Sequence, residues 1–114
     1  MHAAMELVAR LVTHGARPVL HCSGEIDLAT LPLLRDQLHR AVVDHPGITL
    51  DLDLDGVTAL DDTGLGIVMG AAARAREAGG DLHVICSNER LRERLAITGL
   101  DRAITVRSGL DPAQ

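Results

Sequence analysis

Strand-like and helix-like segments alternate along most of this chain, and that alternation constrains its fold more than any other feature. Strands separated by helical segments of this length pair in parallel through right-handed crossovers. The sequence therefore predicts an α/β fold, with a mostly parallel sheet and helices packed against it. The segments that alternate are a helix from Thr30 to about 45, a strand over 48–54, a helix over 63–78, a strand over 82–86 and a helix over 88–98.

The first part of the chain predicts an antiparallel hairpin. Residues 5–13 alternate loosely between apolar and polar, 15–18 carry the turn signal Gly-Ala-Arg-Pro, and 18–23 continue as a second strand. A short final strand is predicted over 103–106. The expected order of elements is ββαβαβαβ, which forms a single layer of mixed, mostly parallel sheet.

The available side chains exclude several kinds of chemistry and define the core. The 114 residues include no Phe, Tyr or Trp, and the 11 strongly basic residues are all arginine. Without lysine there is no Schiff-base chemistry and no phosphate-loop lysine, and without aromatic rings there is no stacking platform for single-stranded nucleic acid. The core must therefore be aliphatic, and the length is sufficient for one domain that folds without disulfides or metals.

Charge, hydropathy and cysteine content favour a cytoplasmic protein. The formal net charge is −5, so there is no basic excess to bind a nucleic-acid backbone, and we expect no nucleic-acid partner. No apolar run approaches the roughly 20 residues that cross a bilayer, so we expect no membrane insertion. The first residues lack the features of a secretory signal, and Cys22 and Cys86 form no CxxC or zinc-binding pattern.

A run of alternating aspartates matches a calcium-loop template on paper. Asp51, Asp53, Asp55 and, at the twelfth position, Asp62 fit D-x-D-x-D-G-x5-E with aspartate in place of the final glutamate. Such a loop follows a helix, whereas leucine at every second position predicts a strand here. We favour a strand with acidic residues near its end, and calcium binding through these four residues is a minor alternative.

The junction between that strand and the second helix concentrates polar groups. Residues 61–66 read Asp-Asp-Thr-Gly-Leu-Gly. Amide groups and the helix dipole at such a terminus stabilise carboxylates, and they would also stabilise a phosphate. Ordinary N-capping explains the same residues without any ligand. The glycine spacing is not that of a dinucleotide-binding loop.

The remaining polar residues form no recognisable catalytic set. The six histidines lack the spacing of a metal site, and the two cysteines lie in apolar strands where buried, inert thiols are expected. Ser23 and Ser87 lack the context of a nucleophile elbow. Arg90, Arg92 and Arg94 cannot share one helix face and predict a solvated surface. We therefore predict no catalytic residue, no metal and no cofactor.

Several short motifs, in this order and spacing, resemble the STAS domain of the stand-alone bacterial anti-sigma-factor antagonists. The resemblance extends over about 5–107 and implies a single STAS-like domain over 1–114. Each motif alone is weak, and their combination is specific. The motifs are GEID at 24–27, LDLDGV at 52–57, LDDTGLG at 60–66, the glycine pair at 79–80 and ITGLD at 97–101.

The resemblance implies a role in partner switching. In that family the antagonist binds an anti-sigma factor, usually a serine kinase of the GHKL ATPase type, and thereby releases a sigma factor. The kinase phosphorylates a Ser or Thr at the start of the second helix, and the phosphate breaks the complex. By the resemblance, the partner-binding residues of this chain are Gly24, Glu25, Asp27, Asp61, Asp62, Thr63, Gly64 and Leu65.

This chain departs from the family pattern at the phospho-acceptor position, which aligns with Asp62. Aspartate has no hydroxyl and cannot be phosphorylated by a serine kinase. Either Asp62 is a fixed, partial mimic of the phosphorylated state, or Thr63 receives the phosphate instead. We favour the first interpretation, because Thr63 is expected to start the helix with its hydroxyl used as a cap.

Two further departures lead to separate expectations. The family usually ends with another helix, whereas the residues after 107 are too few for a full one, which would leave part of the surface uncovered and favour a homodimer. Asp51 falls where the family tends to place an apolar strand residue, so we expect an acidic side chain that is half buried. The alternative function is a non-switching structural STAS subunit of a larger assembly or of a transport complex.

Overall fold

Five strands form one sheet in the order β1-β2-β3-β4-β5 in the computed structural model, which describes residues 6–109. Strands β1 and β2 pair antiparallel, and the other three pairs are parallel. The predicted α/β architecture is therefore confirmed. The elements are β1 (Val8–His14), β2 (Arg17–Ile26), α1 (Leu31–Asp44), β3 (Thr49–Leu60), α2 (Asp62–Glu77), β4 (Asp81–Ile85), α3 (Glu89–Thr98), α4 (Leu100–Ala103) and β5 (Val106–Arg107).

Sequential strand order and right-handed crossovers place the helices on one face of the sheet. Alternate residues of β3 show this division, because side chains of a strand point to opposite faces. Leu50, Leu52 and Leu54 are buried in the main core together with leucines and alanines of α1 and α2. Asp51 and Asp53 occupy the positions between these leucines and point to the other face.

The two central strands are longer than the sequence pattern predicts. β2 was expected to end at 23 and β3 at 54, but they continue to Ile26 and Leu60. Register irregularities between His21 and Ser23 and between Gly24 and Glu25 let the pairing continue. The extension of β3 was missed for two reasons. The Asp-Gly pair at 55–56 normally indicates a turn, and an irregularity in strand register leaves no mark on the pattern of apolar residues.

The end of the described region also differs from the prediction. A single helical turn, α4, lies between α3 and β5, and it contains Ala103, which was predicted to begin the final strand. Gly99 ends α3 in the left-handed conformation (φ 82°), as expected of a residue at this position. One turn is too short to show a helical period in the sequence. The homodimer stays a prediction, because its argument depends on the residues after 107, and those after 109 lie outside the described residues.

Small residues of α2 have two different roles. A Cβ on Gly64 would lie 2.7 Å from Cγ2 of Ile26, so this glycine is required where the helix meets the sheet. Ala71 and Ala72 are also buried against the core. Gly66, in contrast, would have no atom within 4 Å of an added Cβ, so it faces outward. Only some of the small residues of α2 therefore bring the helix close to the sheet.

Asp51 is more deeply buried than expected, with 1% of its surface exposed. Its Oδ1 accepts hydrogen bonds from Nη2 of Arg17 at 2.6 Å and from Nη2 of Arg107 at 2.7 Å. The alternation of β3 places this carboxylate on the face away from the helices, where both arginines can reach it. Two charge-assisted hydrogen bonds thus compensate for the burial of an ionised group.

Candidate functional site

The carboxyl ends of β2 and β3 lie side by side. Ile26 and Leu60 are register partners, and the N–H of Asp61 donates to the carbonyl of Ile26 at 2.8 Å. The segments 24–27 and 61–65 therefore adjoin at one end of the sheet. In open α/β folds this edge, at the carboxyl ends of parallel strands, is where binding sites usually form.

Asp27 organises the loop after β2. Its Oδ1 accepts from the N–H groups of Ala29 at 2.9 Å and Thr30 at 3.1 Å. Thr30 occupies the N-cap position of α1, but its side chain makes no capping bond. The Thr30 hydroxyl instead donates to the carbonyl of Glu25 at 2.8 Å and accepts from the N–H of Asp27 at 2.9 Å. This loop is fixed by its own side chains.

Asp61, rather than Thr63, caps α2. The N–H of Thr63 donates to Oδ1 of Asp61 at 2.8 Å, and the Thr63 hydroxyl donates to the same carboxylate. These bonds lower the pKa of Asp61 from its usual value. The helix starts at Asp62, one residue earlier than predicted. The hydroxyl of Thr63 is therefore engaged, but as a donor to the cap and not as the cap itself.

Asp62 lies on the surface and pairs with an arginine of α3. Its side chain is 78% exposed, and its Oδ1 accepts from Nη2 of Arg94 at 2.6 Å. Arg94 was predicted to lie on a solvated surface because Arg90, Arg92 and Arg94 cannot share one helix face. Its pairing with Asp62 was missed, because 32 residues separate the two partners. The available signal was the spacing of Arg90 and Arg94, since residues i and i+4 share a helix face.

The predicted partner-binding residues divide into packed and accessible groups. Gly24, Gly64 and Leu65 are buried. Gly24 has φ +102°, and a Cβ there would lie 2.1 Å from the carbonyl oxygen of Glu6. The backbone therefore requires glycine at this position, which explains the glycine of the GEID motif. The accessible residues are Glu25, Asp27, Asp61, Asp62 and Thr63, which give this end of the sheet an acidic surface.

The aspartates of the calcium template have four separate sets of partners. Asp51 pairs with two arginines, Asp53 with Nδ1 of His21 at 2.6 Å, and Asp62 with Arg94. Asp55 accepts from the N–H and the hydroxyl of Ser87. Within residues 6–109, no group of three or more His, Cys, Asp or Glu side chains is arranged to hold a metal ion. The geometry therefore does not support the calcium alternative.

Neither cysteine has the properties of a nucleophile. Burial, with a further contribution from the Asp53 carboxylate, raises the pKa of the Cys22 thiol to about 12. Burial is also the main cause that raises the pKa of Cys86. A reactive cysteine requires an accessible thiolate, so both residues serve as small apolar side chains of the core.

None of the helices within the described part of the chain is both long enough and apolar enough to span a bilayer.

Known proteins resemble this chain over most of its length. The family model described as Mlab, STAS domain matches residues 9–108. The anti-sigma-B factor antagonist of Listeria monocytogenes is 35% identical over 86 residues, which cover 75% of each protein. The protein of the same name from Bacillus subtilis is 33% identical over 87 residues, 76% of this chain and 78% of that protein. The crystal structure of an anti-sigma factor antagonist from Mycobacterium paratuberculosis has a TM-score of 0.84 at 28% identity and covers 93% of this chain and 89% of that one.

Proposed function

Because this chain belongs to the STAS-domain family of anti-sigma-factor antagonists, we propose that it is a cytoplasmic, non-enzymatic regulator that binds an anti-sigma factor and so releases a sigma factor. The observation that carries the proposal is the similarity to proteins named as such antagonists over three quarters of the chain. The alternative of a structural subunit in a larger assembly or transport complex is not favoured, because these relatives are named antagonists.

The proposed contact surface is the acidic end of the sheet, where the loop after β2 meets the start of α2. Its accessible residues are Glu25, Asp27, Asp61, Asp62 and Thr63. The proposed partner is an anti-sigma factor of the GHKL-type serine kinase class. Hydrogen bonds that fix both segments reduce the ordering cost of binding, which favours affinity.

Asp62 is proposed to act as a fixed and only partial mimic of a phosphorylated residue. A phosphate carries about −1.5 to −2 charges and three strong acceptor oxygens, whereas a carboxylate carries one charge. Arg94 offsets that charge at 2.6 Å. The compensated Asp62 is therefore compatible with binding, and the chain is proposed to bind its partner without the usual switch.

Binding to a purified GHKL-type anti-sigma kinase from the same genome is the direct test. By calorimetric titration, wild type and Asp62→Ser should both bind the kinase. Arg94→Gln should weaken binding about two- to fivefold, because an exposed ion pair contributes a few tenths to 1 kcal/mol. Arg102→Gln, an exposed arginine on α4, is the matched control and should bind like wild type. No binding by either wild type or Asp62→Ser would refute the proposed function.

Phosphorylation by the same kinase tests the role of position 62. With ATP, the kinase should label Asp62→Ser and leave wild type unlabelled, because only the variant has a hydroxyl at the acceptor position. Labelling is measured by intact-mass spectrometry, with Asp62→Ala as the control that has no hydroxyl. Labelling of wild type that disappears in Thr63→Ala would show that Thr63 is the acceptor, and the interpretation of Asp62 would be wrong.

A further inference from the structure

Strand β3 extends beyond its neighbour β4. Pairing between them runs from Thr49 with Asp81 to Asp53 with Ile85 and ends there. β3 continues to Leu60 and stays paired with β2 on its other side. Along 57–60, one edge of β3 is paired with β2. The opposite edge lies next to α3 and not next to another strand.

The chain that leaves β4 is held away from this part of β3. Asp55 accepts from the N–H of Ser87 at 2.6 Å and from its hydroxyl at 3.0 Å. Nη1 of Arg92 donates to the carbonyl of Cys86 at 3.0 Å. These bonds turn the chain into α3 immediately after β4, which leaves a gap where a longer β4 would have paired.

That gap is a cleft of about 190 Å³, which we call the β3–α3 cleft. Val57–Leu60 of β3 form one wall, and Asn88, Arg90, Leu91 and Arg94 of α3 and its cap form the other. A strand directs the backbone groups of alternate residues to its two sides, so part of the β3 edge faces the cleft. The cleft therefore adjoins a strand edge, and an extended peptide can add to such an edge as one more strand.

The charge of the cleft distinguishes it from the acidic surface beside it. Arg90 and Arg94 are one helical turn apart on the same side of α3, and Arg90 is exposed. Arg94 also contacts Asp62, so the cleft and the start of α2 share this arginine. An acidic ligand in the cleft would meet two guanidinium groups and would compete with Asp62 for one of them.

We infer that the β3–α3 cleft receives an extended, acidic segment of the partner, which adds to the edge of β3 along Val57–Leu60 and pairs with Arg90 and Arg94. The identity of that partner as the anti-sigma factor rests on the proposed function. An extended segment fits because a helix satisfies its own backbone groups and gains nothing from a strand edge. Acidic side chains fit because both charged groups that line the cleft are arginines. Arg94 then connects partner binding to the charge at position 62.

Peptide titration of the full-length, ¹⁵N-labelled protein tests the inference by NMR. The probes are the acetylated, amidated pentapeptide VEVEV and its uncharged control VQVQV. VEVEV should shift the amide signals of 57–60 and the Nε signals of Arg90 and Arg94 in a saturable manner. VQVQV should bind about three- to tenfold more weakly, the range that one or two exposed charge pairs supply. Arg90→Gln should remove most of this difference, whereas Arg102→Gln on α4 should preserve it.

The inference is wrong if VEVEV leaves the signals of 57–60 unchanged, if both peptides bind equally, or if the shifts are confined to the exposed side of α2. A titration of the kinase separates this inference from the proposed function. Equal binding of wild type and Arg90→Gln would reject the cleft as a partner site while the proposed function stands. Absence of kinase binding would reject the proposed function, and the peptide titration would still decide whether the cleft binds acidic segments.

Discussion

Replacing Gly24 by alanine is expected to lower the free energy of unfolding by about 2–5 kcal/mol. A side chain at φ +102° costs about 1–2 kcal/mol for an L-residue, and overpacking against fixed atoms typically costs about 1–3 kcal/mol. The new Cβ would meet the carbonyl oxygen of Glu6 at 2.1 Å, which is backbone and cannot rotate away. Urea unfolding followed by circular dichroism measures the change.

Gly66→Ala is the matched control, because it adds the same methyl group at the fifth residue of α2, on the outward side of the helix. Nothing lies within 4 Å of that position, and glycine within a helix costs about 0.5–1 kcal/mol relative to alanine. Gly66→Ala should therefore stabilise the protein by about that amount. A loss below about 1 kcal/mol for Gly24→Ala would show that the segment before β1 yields easily, and the structural explanation of the motif glycine would fail.

This contrast affects how the proposed interface can be mapped. Gly24, Gly64 and Leu65 are packed inside the protein, so substitutions there would reduce partner binding by unfolding the site. Glu25 and Asp62 are accessible, and Asp62 contributes no bond to the helix cap. Substitutions at these two positions can change binding with only a small change in stability, because the exposed Asp62–Arg94 pair contributes at most about 1 kcal/mol.

The order of the elements could be predicted from the sequence because it depends on local patterns. The helical period after Thr30, the alternating leucines of 48–54 and the Asn88 cap are each visible within a few residues. Asn88 does accept from the N–H of Leu91 at 3.1 Å. The STAS resemblance rested on motifs of the same kind, and the comparisons confirm it.

The features that shape the candidate site could not be predicted, because they depend on contacts between distant residues. The extension of β3 to Leu60 arises from irregular pairing with β2, and the Asp-Gly pair at 55–56 suggested a turn instead. Arg94 reaches Asp62 only because the fold brings together the start of α2 and a residue of α3 that lies 32 positions further along the chain. The depth at which Asp51 is buried depends on Arg17 and Arg107, which lie 34 and 56 residues away.

Asp51→Asn is expected to lower the free energy of unfolding by about 2–4 kcal/mol. Removing one member of a buried ion pair usually costs about 3–5 kcal/mol, because the remaining charge is left uncompensated. The value is reduced here because the side chains of Arg17 and Arg107 are 27% and 18% exposed and keep some contact with water. Asparagine has nearly the same shape, so the change isolates the charge. Urea unfolding at constant pH measures the loss.

The control for Asp51 is Asp53→Asn, on the same strand and the same face of the sheet. Asp53 pairs with His21, whose side chain is 42% exposed, so this change should cost no more than about 1 kcal/mol. Equal losses for the two variants would mean that the burial of Asp51 has no energetic consequence.

A triple variant, Arg17→Met with Asp51→Leu and Arg107→Met, should recover most of the loss, because apolar side chains of similar volume often replace a buried ion network without destabilisation. If the triple variant is less stable than Asp51→Asn, the arginines stabilise the sheet through contacts other than Asp51.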